Sequence, residues 1–272
     1  MTGGLVHANG ADLYYQVDGP VDQDGGAQTL VLINGVGDPL EGWVNQTQEF
    51  LAAGLRVVSF DNRGVGRSSM PPGPYTSAVM AADLHAVVTA AGLDRFHLCG
   101  VSMGGVIAQE YALAHPGPLR SLILANTFAA ADPFTRAAFL SWSDVAQAAG
   151  MPMMMAAQAP WIFSPGFYQR FPDRVAELIA EAAEGTQPAT AFAAQMAALV
   201  DHDARDRLPA LVTPTLVLAA ADDIIIRPAL SRQLLELLPN AVWSEVPGGH
   251  AAFWEDPGPW NHAVIEFVKA HS

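Results

Sequence analysis

The segment from Phe96 to Pro116 constrains the fold of this chain more than any other part of the sequence. It holds a short apolar stretch of strand-forming residues, then a Gly-x-Ser-x-Gly turn centred on Ser102, then a segment with helical spacing. Gly100 and Gly104 fit a turn that is too tight for side chains where strand and helix pack against it. Such a turn presents the serine hydroxyl above the sheet edge, at a helix N-terminus that favours negative charge. The segment therefore predicts that Ser102 is a nucleophile that forms an acyl-enzyme.

A serine nucleophile needs a general base, and in this arrangement an acid and then a histidine follow it along the chain. His250 follows a strand pattern at 241–246 and a Gly-Gly bend, so we predict that it is the base. The acid should follow the preceding strand, where Asp222 and Asp223 are adjacent. The distance to the next helix favours Asp223, with Asp222 as an exposed neighbour. The other histidines are expected to be structural or surface residues, and His202, in a charged run, is expected to be solvated.

Two backbone N–H groups are predicted to form an oxyanion hole. One belongs to Met103, directly after the nucleophile. The other is assigned to Val36, in the glycine-rich loop that follows the strand pattern ending at Asn34. The alternative is an ordinary glycine-rich loop between a strand and a helix. A phosphate-binding loop is excluded because no Gly-Lys-Ser/Thr sequence ends this segment.

The strand patterns alternate with helical segments, which favours a mostly parallel α/β sheet covered by helices on both faces. Asn9 and Gly10 predict a two-residue hairpin turn near the start, and a Gly/Asp-rich loop is expected to extend to about Gln28. The predicted strands lie near residues 5–8, 12–17, 30–34, 56–61, 96–101, 120–125, 215–219 and 241–246.

Between residues 128 and 208 the strand rhythm stops and the sequence becomes rich in Ala, Met, Phe and Trp with helical spacing. We predict a helical cap over 128–208, inserted after the sixth strand, on a core formed by 1–127 and 209–272. Ligands of open α/β sheets bind outside the carboxyl ends of the strands, which a cap here would cover. Arg170 and Arg174 are expected to be surface residues. The candidate substrate-binding residues are Asn34, Trp142, Met154, Trp161 and Phe163.

Together with these motifs, the run Asp61-Asn-Arg-Gly-Val-Gly-Arg-Ser68 resembles the Asp-x-Arg-Gly-x-Gly-x-Ser loop of the α/β-hydrolase superfamily. The resemblance covers essentially the whole chain and implies the α/β-hydrolase fold with a Ser-Asp-His triad. Within that superfamily the chain is similar to small bacterial esterases, 3-oxoadipate enol-lactonases and cofactor-free haloperoxidase-like perhydrolases. Many relatives carry His-Gly before the oxyanion loop, whereas this chain has Asn34-Gly35, which favours the enol-lactonase-like and actinobacterial esterase-like members.

Composition limits the classes of partner. The net charge of −14, without basic runs, argues against nucleic acid or an anionic membrane as a partner. We find no signal-peptide pattern and no apolar run of membrane-spanning length, so a cytoplasmic protein is expected. The single cysteine, Cys99, is expected to be a buried inert thiol. Neither a cofactor nor a metal site is predicted, and the sequence leaves the oligomeric state open.

The sequence therefore predicts a serine hydrolase that cleaves a carboxylic ester or lactone with a largely apolar moiety. The few charges in the cap offer little to bind the carboxylate of 3-oxoadipate enol-lactone. Enol-lactone hydrolysis, perhydrolysis, thioester hydrolysis and carbon–carbon bond hydrolysis by the same three residues stay open. A ligand-binding receptor on a hydrolase scaffold is a further alternative from a different class.

Overall fold

The computed structural model describes residues 2–19 and 28–272. In these ranges the β-strands are β1 (Thr2–Ala8), β2 (Ala11–Asp18), β3 (Thr29–Ile33), β4 (Arg56–Phe60), β5 (Phe96–Val101), β6 (Leu119–Ala125), β7 (Thr215–Ala220) and β8 (Ala241–Val246). The helices are α1 (Val44–Ala52), α2 (Ser77–Ala90), α3 (Met103–Ala114), α4 (Pro133–Ala149), α5 (Met151–Ile162), α6 (Pro165–Arg170), α7 (Pro172–Ala183), α8 (Ala189–Val200), α9 (Pro228–Leu237), α10 (Ala252–Glu255) and α11 (Pro257–Ala270).

The strands form one sheet in the order β1-β2-β4-β3-β5-β6-β7-β8. β1 pairs with β2 and β2 with β4 in antiparallel register, and every other neighbouring pair is parallel. The strand order reverses at β3, which lies between β4 and β5. In open sheets of this kind the ligand crevice forms at the carboxyl ends of the strands beside such a reversal. The topology therefore positions a site at the ends of β3 and β5.

The central strands are buried on both faces, as a parallel sheet covered by helices requires. Every residue of β3, β5 and β7 is buried. Alternate residues face two separate apolar layers: Val31 and Leu98 pack on the side of α2 and α3, whereas Leu32 and Cys99 pack on the side of α1 and α11. Burial raises the pKa of the Cys99 thiol, which keeps it protonated. The expectation that Cys99 is buried is confirmed.

The first two strands are joined as the Asn-Gly signal predicts. Asn9 has φ 49° and Gly10 has φ 73°, the pair of positive values that a type I′ hairpin turn needs. The Gly/Asp-rich loop predicted before Gln28 lies mostly outside the described residues.

Five helices, α4 to α8, lie between β6 and β7, where the sequence predicts the helical cap. α4 packs against α5 and α8, and α5 packs against α7. The two ends of the insertion meet at a bridge between Ala130 and Asp203, beside a hydrogen bond from the Ala204 N–H to the Ala129 carbonyl (2.9 Å). In the described part of the chain, no helix is both long and apolar enough to cross a membrane.

One expectation about a histidine is wrong. His202, which follows α8, is buried with 4 % of its surface exposed, and is not solvated. Its Nδ1 lies 3.2 Å from Oε1 of Glu110, and its Nε2 lies 3.4 Å from Oε1 of Gln109. Both partners belong to α3, a contact that the charged local sequence around His202 does not indicate.

A buried ion pair fixes the loop after β4 against α2. The Arg63 guanidinium donates from Nε to Oδ2 of Asp83 (2.5 Å) and from Nη2 to Oδ1 (2.7 Å). The Asn9 side chain also donates to Asp83 Oδ1 (3.0 Å), and Arg63 Nη2 donates to the Asn9 carbonyl (3.2 Å). Both charged side chains are almost fully buried. The pair therefore connects the hairpin, the β4 loop and α2.

We expect Asp83→Ala to lower the free energy of unfolding by about 3–5 kcal/mol, because it leaves the Arg63 guanidinium buried without a counter-charge. Urea denaturation measures the change. Asp144→Ala is the matched control, since Asp144 is exposed on α4 and its loss should change the value by about 0.5 kcal/mol or less. A loss below about 1 kcal/mol in Asp83→Ala would show that this pair does not hold the loop.

Candidate active site

Ser102 lies between β5 and α3 in a backbone conformation that few residues other than glycine adopt. Its φ is 55° and its ψ is −116°, and α3 begins at the next residue. The Ser102 N–H donates to the Ala125 carbonyl (3.0 Å), and the Thr127 hydroxyl donates to the Ser102 carbonyl (2.8 Å). Strain of this kind persists only where surrounding contacts enforce it, and it is concentrated at functional sites. Contacts to the end of β6 hold Ser102 in this corner.

The two motif glycines allow the corner to form. A Cβ on Gly100 would lie 2.1 Å from the Gly104 carbonyl oxygen, and a Cβ on Gly104 would lie 2.1 Å from the Ile33 carbonyl oxygen. Neither approach is sterically tolerable, and both neighbours are backbone atoms that cannot move aside. The absent side chains thus let α3 pack directly against the ends of β3 and β5.

His250, after β8, and Asp223, after β7, are joined by a hydrogen bond. The distance from His250 Nδ1 to Asp223 Oδ2 is 2.7 Å. Asp223 is 2 % exposed, and its carboxylate also accepts from the Asn126 side chain (2.9 Å) and from the N–H groups of Ile225 (2.9 Å) and Ile226 (2.8 Å). Asp222 is exposed and takes no part in this network. The hydrogen bonds fix the carboxylate so that it directs the imidazole ring.

The two groups shift each other's pKa in opposite directions. Burial alone would raise the pKa of Asp223, but the charge and hydrogen bond of His250, with the Asn126 amide and the Ile226 N–H, lower it. Burial alone would lower the pKa of His250, but the charge and hydrogen bond of Asp223, together with the charge of Asp38, raise it. Asp223 is therefore ionised at neutral pH, and the pair stabilises an imidazolium that forms at His250.

The loop that carries His250 is attached to the helical insertion. The Ala251 N–H donates to the carbonyl of Ile162, the last residue of α5 (3.0 Å). The Glu255 carboxylate accepts from the Gly249 N–H (3.2 Å) and from the Ser164 N–H (2.7 Å) and hydroxyl (2.5 Å). The carboxylate thus connects the histidine loop to the start of α6. Its contacts can influence His250 only through the position of this loop.

We expect Glu255→Ala to lower kcat for any substrate of this site by roughly ten- to a hundredfold, because small displacements of a reacting group are costly. Glu255→Gln keeps an acceptor for both N–H groups and should retain most of the activity. Steady-state kinetics on the two variants, with unfolding curves as a stability control, measure the difference. Equal kcat in Glu255→Ala and the unchanged protein would contradict this positioning role.

Two backbone N–H groups in the loops around Ser102 have no partner among the described residues. Within residues 2–19 and 28–272, the N–H groups of Val36 and Met103 have no hydrogen-bond acceptor. The loop that carries Val36 is fixed by the Asn34 side chain, which donates to the carbonyls of Asp38 (3.2 Å) and Pro39. Two free N–H groups near a strained serine are candidate donors for an oxyanion hole.

Gln195 of α8 connects the insertion to the same loop. Its side-chain carbonyl accepts from the Gly37 N–H (3.0 Å) and from the Gln187 amide (3.0 Å), while its amide donates to the Arg63 carbonyl (2.8 Å). The loops after β3 and β4 and the insertion are therefore held together by one buried amide network.

Ser102 and His250 both line a cavity of about 500 Å³ beneath the insertion, a volume typical of small-molecule sites. Most of its wall is apolar. The larger side chains on that wall are Phe139, Trp142, Met155, Ile162, Phe163, Leu178, Ile179, Met196, Leu199, Ile225, Phe253 and Trp254.

The five candidate substrate-binding residues divide into two groups. Trp142 and Phe163 line this cavity. Asn34 is buried and directs its amide at its own loop, and Met154 is fully buried in the core. Trp161 lines a separate pocket formed by residues of α4 and α5. The prediction that these last three line the substrate pocket is not supported by their positions.

Four polar residues of the site were not predicted from the sequence. Asn126 is the first residue after β6, where polar side chains at strand ends often line a site, and this was the only available indication. Asp38 lies in the oxyanion loop, whereas Gln195 and Glu255 are far from Ser102 along the chain. Among the described residues, no three His, Cys, Asp or Glu side chains are arranged to hold a metal ion.

Comparison with known proteins identifies relatives over nearly the whole chain. The family described as "alpha/beta hydrolase fold" matches residues 28–257. A protein from Azorhizobium caulinodans named "Putative carbamate hydrolase RutD" is 34% identical over 270 residues, which cover 96% of this chain and 97% of that protein.

Solved structures give the same result. The enol-lactonase from Burkholderia xenovorans LB400 superimposes with a TM-score of 0.89 at 26% identity, covering 98% of this chain and 100% of that one. A hydrolase from Pseudomonas aeruginosa PA01 superimposes with a TM-score of 0.88 at 29% identity, covering 98% of each chain.

Proposed function

Because the chain belongs to the alpha/beta hydrolase fold family, we propose that it is a serine hydrolase that cleaves a carboxylic ester or lactone with a largely apolar moiety. Ser102 is the nucleophile, His250 the general base and Asp223 the residue that orients it. One observation carries the proposal: the Asp223–His250 pair and the strained Ser102 meet at one apolar cavity. We also propose that residues 128–208 act as the cap over this cavity.

The geometry supports a two-step acyl transfer. His250 takes the proton of the Ser102 hydroxyl as the oxygen attacks the substrate carbonyl, and Asp223 stabilises the imidazolium that forms. The N–H groups of Val36 and Met103 stabilise the resulting oxyanion. The carbon–oxygen bond to the leaving group then breaks as His250 returns the proton to that group. Water activated by His250 attacks the acyl-Ser102 ester in the same way and releases the acid.

The charges around the cavity favour a neutral ester over an anionic lactone. No Lys or Arg in the described ranges lines the cavity. Arg174 pairs with Glu177 and Glu181 on the surface of α7. The carboxylate of 3-oxoadipate enol-lactone would therefore meet no cationic side chain here.

Carbamate esters are a second candidate substrate class, because the 34% identical relative is named a carbamate hydrolase. A carbamate ester offers Ser102 the same carbonyl, and attack would give a carbamoyl-Ser102. The free carbamate anion fits less well, for the same electrostatic reason as the enol-lactone carboxylate.

Hydrolysis of p-nitrophenyl esters across short, medium and long acyl chains tests the proposal, with Ser102→Ala as the blank. We expect Ser102-dependent turnover with a chain-length optimum set by the apolar wall. If no ester is turned over although a fluorophosphonate still labels Ser102, the ester assignment fails. Lactone, thioester, perhydrolysis or carbon–carbon chemistry, or ligand binding without turnover, then takes its place.

The pH dependence of kcat/KM on a neutral ester should follow the protonation of His250. The base must be neutral to accept a proton, and the charge of Asp223 raises the pKa of His250 above its ordinary value of about 6.5. Activity is therefore expected to fall as the pH decreases, with its midpoint above 6.5. A midpoint below that value would contradict a stabilised imidazolium at this position.

A further inference from the structure

Within residues 2–19 and 28–272, Asp38 is the one acidic residue on the cavity wall that forms no ion pair. Three carboxylate side chains line the cavity: Asp38, Glu41 and Glu181. Glu41 forms an ion pair with Arg67, and Glu181 accepts a hydrogen bond from Arg174 (2.9 Å). Among residues 2–19 and 28–272, no donor lies within hydrogen-bond distance of the Asp38 carboxylate, since only its backbone carbonyl is an acceptor.

The Asp38 carboxylate lies close to the reacting centre. The position that a Cβ on Gly35 would occupy is 3.3 Å from Asp38 Oδ2 and 3.5 Å from Ser102 Cβ. The carboxylate oxygen and the Cβ of the nucleophile thus both lie within 3.5 Å of one point beside Gly35. Asp38 is an exposed residue on the cavity wall. Desolvation by the protein atoms around its carboxyl raises its pKa to about 6, and the charge of His250 opposes this shift.

A bare negative charge at this position is unfavourable for ester hydrolysis by itself. Negative charge develops on the substrate oxygen in the transition state, and an ionised carboxylate this close to Ser102 repels it. At pH 8, above this pKa, the Asp38 carboxyl is ionised. The positive charge of His250 lowers the pKa of Asp38 by less than desolvation raises it. A substrate that carries a positive charge next to Asp38 would offset this repulsion.

The aromatic wall beside Asp38 suits such a charge. The Trp254 indole N–H donates to the Gly42 carbonyl (3.0 Å), and the Cβ position of Gly42 is 4.0 Å from Asp38 Cβ. Trp254 is therefore fixed at the same end of the cavity as Asp38, and Phe253 also lines the cavity. Indole and phenyl faces attract ammonium groups, and quaternary ammonium ligands in particular.

We propose that Asp38, together with Trp254, is a specificity-determining residue that selects esters carrying a positively charged amine near the scissile carbonyl. This inference rests on the proposed serine hydrolase function. The carboxylate supplies the charge contact and the indole supplies a cation–π face. An uncharged isostere loses both contacts and leaves the Asp38 carboxylate without an ion-pair partner.

A matched pair of esters tests the inference at pH 8. One is a choline ester, and the other is the 3,3-dimethylbutyl ester of the same acid, which replaces the quaternary nitrogen by carbon at nearly constant shape. The acyl chain is the optimum from the p-nitrophenyl series. We expect kcat/KM for the choline ester to exceed that for the neutral ester by roughly ten- to a hundredfold.

Asp38→Asn should remove most of this preference, mainly by lowering kcat/KM for the choline ester. Glu41→Gln is the matched control, because Glu41 is paired with Arg67, and it should keep the preference nearly unchanged. A purely structural role of Asp38 would lower both esters equally and leave their ratio intact.

These measurements test the cationic preference and the proposed ester hydrolase function separately. Ser102-dependent hydrolysis of p-nitrophenyl and neutral esters without a cationic preference overturns the inference and leaves the proposed function standing. A preference that survives in Asp38→Asn overturns the assignment to Asp38. Absence of Ser102-dependent hydrolysis of any ester overturns the proposed ester hydrolase function, and the inference fails with it.

Discussion

Ser102→Ala is expected to lower kcat by roughly 10⁴- to 10⁶-fold, because no other group can form the acyl intermediate. The fold should survive the change. The Cβ remains, and the N–H and carbonyl contacts of Ser102 to Ala125 and Thr127 involve only its backbone. The substitution therefore separates chemistry from structure at this position.

The measurement is hydrolysis of the optimal p-nitrophenyl ester, with circular dichroism and an unfolding curve to show that the variant is folded. The variant must be purified separately from any active hydrolase, since trace contamination would exceed the expected residual rate. Substantial turnover by a clean, folded Ser102→Ala preparation would rule out Ser102 as the nucleophile.

Asp223→Asn is expected to lower kcat by roughly 10⁴-fold, because an amide favours the wrong imidazole tautomer and no longer stabilises the imidazolium. Asp222→Asn is the matched control, since its exposed side chain lies outside the network around His250. It should leave kcat within about twofold of the unchanged protein, as is usual for surface sites. Steady-state kinetics on the two neighbouring variants decide which aspartate is the acid.

The residual activity of Asp223→Asn carries a second readout. Without the Asp223 charge, burial lowers the pKa of His250 and only the charge of Asp38 opposes it, so the acid limb of kcat/KM should move to lower pH. If Asp222→Asn rather than Asp223→Asn caused the large loss, or if both were nearly silent, the assignment of the acid would be wrong.

The framework of this fold could be predicted from the sequence because its signals are local. Strands buried on both faces appear as apolar runs, and the Asn9-Gly10 turn appears as a dipeptide. The elbow at Ser102 is encoded by Gly100 and Gly104, each two positions from the serine, whose missing side chains make room for close backbone contacts. The topological rule that chain order follows Ser, acid and His then pointed to positions more than a hundred residues downstream.

Side-chain direction in the helical insertion could not be predicted in the same way. Met154 and Trp161 both belong to α5, a helix in which nearly every face is apolar. The spacing of its apolar residues therefore did not show which of them face the core, the cavity or the second pocket. Asn34 directs its amide inward because the turn at Pro39 offers it carbonyl groups, a local contact that the resemblance to oxyanion loops does not encode.

The polar contacts that support the site connect residues remote in the chain. Glu255 meets Ser164 across 91 positions, and Gln195 meets Gly37 across 158. Asp38 is a single acidic residue in a loop, and its significance depends on which charges around the cavity are already paired. Such contacts depend on tertiary packing, which determines both their partners and their desolvation.

Titration with a fluorophosphonate shows whether hydrolysis depends on Ser102. Residual hydrolysis of the optimal p-nitrophenyl ester and the intact mass are measured on the same samples, followed by peptide mapping of the adduct. We expect one adduct per chain, located on Ser102, with activity falling in proportion to the labelled fraction. Full ester turnover by completely labelled protein, or inactivation by an adduct on a different residue, would contradict it.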